Sequence, residues 1–132
     1  MTIRVIGEPA PQGSKRHVGN GRMVESSKKV RPWRDSVAWA TREAYGGRPP
    51  LAVPCGISIV FYLPRPKKPK FGKYPGTKPD IDKLVRSTLD GLTNGGAFAD
   101  DALVVEEFSS KRWADPEKGR HIGAVIEIWE AV

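Results

Sequence analysis

Four aspartates stand out in a chain that is otherwise strongly basic. Asp80 and Asp82 flank Ile81 in "KPDIDKLVRSTLDGL" (78–92), and Asp100 and Asp101 follow in "AFADD" (97–101). The 132 residues carry 22 Lys and Arg against 15 Asp and Glu, a formal net charge of +7. Residues 80–107 nevertheless gather seven of the fifteen acids, with only two bases, Lys83 and Arg86. Carboxylates brought together in a partly buried site repel strongly. A hard divalent cation relieves that repulsion. Oxygen ligands suit Mg²⁺, which binds protein through few carboxylates and keeps several waters. Beside a phosphate-binding surface, such a cation activates water and offsets charge developing on a phosphodiester. Helix capping is the competing explanation. Asp80 stands at a helix entrance, where a carboxylate accepts a backbone N–H, and Asp82 lies in the first turn, where the helix dipole favours an anion. Capping accounts for either of these residues but not for the second pair, which precedes a strand.

The elements that must position these acids follow from periodicity. Residues 2–6 alternate as a strand, and 7–23, rich in Gly and Pro, read as a basic loop carrying Lys15, Arg16, His17 and Arg22. Residues 31–45 show helical spacing and stop at "GGRPP"; 55–63 read as a strand ended by Pro64. A second helix spans 80–93, with Ile81, Leu84, Val85, Leu89 and Leu92 on one face and "TNGG" at its end. Residues 102–113 and 120–130 read as two further strands, expected to form a hairpin. The order β-α-β-α-β-β predicts one α+β domain over 1–132. Its expected form is a two-layer sandwich, a mixed four-stranded sheet with both helices on one face. The other face is then exposed or buried in a dimer. If the chain folds straight back after the second helix, the starts of that helix and of the next strand lie roughly 20 Å apart at about 1.5 Å per residue. Asp101 then meets Asp80 and Asp82 only where strand crossing brings it back.

Composition narrows the class further. No apolar run is long enough to span a bilayer, and "MTIRVIGEP" reads as a strand rather than a targeting signal. Cys55 is alone, so it forms no internal disulfide and no zinc site; a buried core thiol and an intracellular protein are expected. The segment 65–78 holds six basic residues and no acid. In it, Lys67, Lys68, Lys70 and Lys73 interleave with Phe71 and Tyr74. Such cations track phosphates, and such aromatics stack on unpaired bases. Lys15, Arg16, Lys28, Lys29 and Arg31 form a second basic group. For each residue alone, a solvated surface charge is the competing explanation. Trp33 and Trp39 suit a core or dimer contact better than base reading.

The stretch "KPDIDKLVRSTLDGLTNGGAFADDALVVE" resembles the signature of the RusA family of Holliday junction resolvases. The matching parts are Pro79-Asp80-Ile81-Asp82, Leu89-Asp90-Gly91-Leu92, and Asp100-Asp101 followed by Val104-Val105. The opening "GEPAPQGSKR" is similar to the family's start, and Lys111 falls where relatives often carry a Lys after the strand. The resemblance implies a small, homodimeric, Mg²⁺-dependent endodeoxyribonuclease, with Mn²⁺ as a substitute metal. It implies paired nicks in four-way DNA junctions during recombination and repair, in a bacterial cytoplasm, by an enzyme often encoded by phages and prophages. Asp80, Asp82 and Asp101 become the metal-binding carboxylates. Asp90 takes a supporting role, and Asp100 is either a secondary ligand or a cap. The DNA-contacting set becomes Lys15, Arg16, Lys67, Lys68, Lys70, Phe71, Lys73, Lys83 and Lys111.

Two departures bear on activity. Arg86 stands where the family has a helical Lys, and Lys83 where Asn is usual. A guanidinium stabilises charge but is effectively never deprotonated, so Arg86 replaces a Lys only in an electrostatic role. Asp82 and Arg86 are also spaced as an ordinary i, i+4 helix ion pair, worth about 0.3–0.5 kcal/mol. A branched-DNA-binding protein with weakened catalysis is therefore the second reading. A PD-(D/E)xK nuclease ranks last, because "EEFSSK" fits that motif poorly.

Overall fold

The computed structural model describes residues 1–13, 15–17, 23–25 and 28–132. In chain order the elements are β1 (Thr2–Ile6), β2 (Lys15–His17), β3 (Met23–Glu25), α1 (Val30–Tyr45), β4 (Cys55–Leu63), α2 (Ile81–Asn94), β5 (Val104–Trp113) and β6 (Gly123–Glu130). Strands β1, β6, β4 and β5 form one mixed sheet in that spatial order. β4 runs parallel to β5, and β6 is antiparallel to both β4 and β1. The α+β architecture and the element order of the main sheet match the sequence reading.

Burial alternates sharply along the central strands. On β4, Cys55, Ile57, Ile59, Phe61 and Leu63 are buried, whereas Ser58, Val60 and Tyr62 are partly open. Their buried neighbours on β6 are Ala124, Ile126 and Ile128, and on β1 Ile3 and Val5. Trp33 and Val37 of α1 and Leu84 and Leu92 of α2 join the same apolar cluster, so both helices cover one face of the sheet. The helices approach closely at Gly91, where a Cβ would lie 2.7 Å from Val37 Cβ and 2.9 Å from the Arg34 carbonyl. Trp33 Nε1 donates to Thr88 Oγ1 across this contact at 3.1 Å.

Two expectations are corrected. β5 and β6 form no hairpin; β4 lies between them and pairs with both. The reason is apolar content. β4 carries the longest run of buried side chains and takes the centre, while β5, bearing Glu106, Glu107, Lys111 and Arg112, suits an edge. The segment 7–23 is also not loop throughout. β2 pairs antiparallel with β3, with Lys15 opposite Glu25, so the two form a small ribbon outside the main sheet.

The β4–α2–β5 unit positions the acidic residues. β5 runs in the direction of β4, so α2 must travel back along the sheet between them. Lys111, near the end of β5, reaches the entrance of α2: its Nζ donates to the carbonyls of Thr77 and Pro79, each at 2.8 Å. Two residues on, Trp113 Nε1 donates to the Gly72 carbonyl at 2.8 Å. Lys111 and Trp113 stand opposite Phe61 and Leu63, on the helix-covered face. They therefore hold the basic loop and the start of α2 against the sheet end.

Candidate active site

Asp80 occupies the N-cap of α2 with extended backbone (φ −70°, ψ 137°). Its carbonyl accepts from the Leu84 N–H at 3.1 Å, closing the first helical turn. Its carboxylate makes no cap hydrogen bond. It faces Lys78 Nζ at 3.8 Å and is 45% exposed. Asp82 is exposed in the first turn, with no ion pair to Arg86 one turn on. Capping thus explains the backbone position of Asp80 but not its carboxylate, which is half-exposed and paired, among the described residues, only with the exposed Lys78, while the Asp82 carboxylate is open to solvent. Asp100 behaves differently: its Oδ1 accepts from the Ala102 N–H at 2.8 Å and caps the short turn Asp101–Leu103.

A cavity of about 450 Å³ adjoins Asp80. Its walls include Glu8, Gln12, Lys29, Lys78 and Lys83. The segment 8–13 is fastened to α2 by the Gln12 N–H on the Lys83 carbonyl, 2.9 Å, and by Ser87 Oγ on the Ala10 carbonyl, 2.6 Å. Glu8 and Lys29 pair at 3.5 Å. Lys78 is two residues from Asp80 in sequence, but periodicity gave no signal for Glu8 or Gln12 beside it. Only the packing of segment 8–13 across the first turns of α2 puts Glu8 and Gln12 there.

Asp101 stands elsewhere. It opens the turn before β5, beyond the C-terminal end of α2, whereas Asp80 and Asp82 sit at the helix start beside Lys111. Seven residues of extended strand separate Val104 from Lys111, roughly 23 Å at about 3.3 Å per residue. α2 itself adds the same span in the opposite direction, roughly 20 Å. One chain therefore brings Asp80 and Asp82 together and leaves Asp101 at the far end. Consistently, no group of three or more His, Cys, Asp or Glu side chains among the described residues could hold a metal ion.

The remaining residues separate by role. Arg86 is exposed on α2 and Lys83 is half-buried on the cavity wall. Asp90 pairs with Arg34 of α1 at 3.7 Å, which ties the helices together. Lys67, Lys68, Lys70 and Lys73 are exposed, and Lys70 and Lys73 lie over the rings of Phe71 and Tyr74 at 5.4 and 5.3 Å. Both aromatics are open to solvent. The ammonium of Lys111 is committed to loop carbonyls rather than directed outward. Lys15 and Arg16 lie in β2, but their side chains, like Arg22, fall outside the described residues. Trp33 is buried between the helices, whereas Trp39 is exposed on α1. Cys55 is fully buried, and burial pushes its thiol above the usual cysteine range, so it is a core residue and no nucleophile.

The model of the endodeoxyribonuclease RusA family matches residues 7–122, which include every acid discussed above. The chain belongs to the RusA family. It is thus an endodeoxyribonuclease, a Holliday junction resolvase that hydrolyses phosphodiester bonds, and branched DNA is its substrate class. RusA nucleases generally depend on a divalent metal. No curated protein matches the chain. Among the described residues, no helix is long and apolar enough to cross a membrane.

Proposed function

We propose that this RusA-family nuclease is a homodimer that resolves four-way junctions by paired nicks with Mg²⁺, Mn²⁺ serving as a substitute. Asp80 and Asp82 are the metal-binding carboxylates of one protomer, and Asp101 comes from its partner. The observation that carries this reading is the Asp80 carboxylate, which sits at a helix N-cap yet makes no cap bond. With Asp82 it offers two exposed hard oxygen ligands, a donor set that fits a hydrated divalent ion. Asp101 lies too far along its own chain to join them. A two-fold dimer supplies the missing carboxylate and makes two equivalent sites, one for each nicked strand. A divalent ion held there would supply an activated water and offset charge on the phosphodiester. Arg86, exposed one turn beyond Asp82, stabilises the same developing charge. Lys67, Lys68, Lys70 and Lys73 hold the DNA backbone, and Phe71 stacks on bases freed at the branch.

Mixed variants test the shared site. Asp82→Asn and Asp101→Asn proteins are each expected to leave a synthetic four-way junction uncut. Heterodimers of the two contain one intact site if Asp101 acts across the dimer, and nicking returns. Mixtures that stay inactive despite exchanging subunits would refute the shared site; full activity of Asp82→Asn alone would refute the carboxylate assignment. Arg86 in place of the family Lys favours one second reading, a junction-binding protein with weakened cleavage. A large gain in nicking by Arg86→Lys, with unchanged junction affinity in EDTA, supports that reading.

A further inference from the structure

A second cavity, about 860 Å³, lies apart from Asp80 and shares only Lys73 with the residues placed on DNA above. It opens on the helix-free face, where β4 and β5 end and the connection to β6 begins. Tyr62, Arg65, Lys73, Arg112 and Arg120 line it, against only two acids, Asp115 and Glu117. Among the described residues, none of these cations is ion-paired; the Arg112 Nη1 donates to the Lys111 carbonyl at 2.9 Å. Three parts of the chain build it. Tyr62 and Arg112 stand side by side on neighbouring strands, Lys73 comes from the basic loop, and Arg120 from a curl closed by the Asp115 N–H on the Arg120 carbonyl at 2.7 Å.

Its position relative to Asp80 is informative. Lys111 and Arg112 are consecutive on β5 and point to opposite faces. Lys111 holds the entrance of α2, and Arg112 lines the cavity. The two sites thus stand back to back across the end of an edge strand. One continuous strand of DNA would have to wrap around that end to reach both. Two strands diverging from a branch reach both directly.

We propose that this cavity binds the phosphodiester backbone of a second strand of branched DNA, one other than the strand at Asp80, so that the end of β5 sits in the fork. The four cations neutralise phosphates, and Tyr62 offers a face to a nearby base. The inference rests on the nuclease reading for its ligand class.

The test compares a four-way junction with a linear duplex of equal length, both in EDTA, across a salt titration. For the double variant Arg112→Ala/Arg120→Ala, junction affinity should fall about tenfold or more, and the slope of log K against log salt should flatten by roughly two, about 0.9 per lost phosphate contact. Duplex affinity should change less than about threefold, and Arg112→Lys/Arg120→Lys, which keeps the charges, should stay near wild type. Equal losses on junction and duplex would overturn the second-strand assignment, as would no loss on either. A lysine pair as defective as the alanine pair shows a structural role and overturns it too. So does an alanine pair that becomes monomeric in sedimentation with full DNA affinity per protomer, since the cavity would then be a subunit contact. If wild type binds the junction in EDTA but never nicks it with metal, the nuclease reading fails while these affinities still decide the cavity.

Discussion

Lys111→Met is the most direct probe of how the fold serves the acidic residues. The ammonium donates to the exposed Thr77 carbonyl and to the part-buried Pro79 carbonyl, both at 2.8 Å. After substitution, Thr77 finds water at little cost. The Pro79 carbonyl loses a charged donor, a bond worth about 1.5–3 kcal/mol where solvent is partly excluded. Taking about 2 kcal/mol, the segment before Asp80 opens roughly 30-fold more often. The opening is local, because the core of β4 and β6 lies on other elements. Amide exchange reads it. The Leu84 N–H closes on the Asp80 carbonyl at 3.1 Å and should exchange up to roughly 30-fold faster, while amides of β4 are unchanged. The metal concentration for half-maximal cleavage should rise with it, and Lys111→Arg, which retains donors and charge, should recover part of the loss. Junction affinity in EDTA should move less than about threefold, because this ammonium is already engaged. Unchanged exchange at Leu84, together with a weaker junction affinity and a salt slope flatter by about one, would refute this reasoning and make Lys111 a phosphate contact.

Two further outcomes test the packing behind the site. Gly91→Ala places a methyl 2.7 Å from Val37 Cβ. Overpacking of about 1–3 kcal/mol should offset or outweigh the gain in helix propensity of about 1 kcal/mol, so urea melts should show a net loss of up to about 2 kcal/mol; a stabilised variant would mean that α1 and α2 separate freely. Tyr45 donates its hydroxyl to the Ala97 carbonyl at 2.7 Å in the core, and its proton is held above the usual tyrosine range, chiefly by burial and next by the Cys55 thiol, against a smaller lowering by Arg48. A raised folded value means stability that is complete below the ordinary tyrosine pKa, near 10, and lost as pH climbs from there through the raised folded value. Tyr45→Phe should cost about 1 kcal/mol at neutral pH and flatten the alkaline decline in stability; an unchanged alkaline slope would remove Tyr45 as its source.

Periodicity carried the elements further than it carried their neighbours. Leu84 and Leu92 lie on one stripe of α2 because an apolar face has to meet the sheet, and that stripe is visible in any window of the right length. Strand order leaves no comparable mark. The hairpin expected between the last two strands rested on adjacency in sequence, whereas pairing follows burial, and the apolar β4 displaced the charged β5 to the edge. The site divides along the same line. Asp80 and Asp82 are close in sequence, so their proximity was legible, and only the missing cap bond of the Asp80 carboxylate needed coordinates. Glu8, Arg112 and Arg120 join their cavities from distant segments, and residue type alone could not single them out. Asp101 is the sharpest case. The parallel pairing of β4 with β5 sends Lys111 to the entrance of α2, and the same pairing puts the start of β5, with Asp101, at the other end of the helix. The two placements are one topological fact. No local adjustment can give β5 a lysine beside Pro79 and an aspartate beside Asp82 in the same copy. If all three carboxylates serve one cation, the quaternary structure is part of the active site.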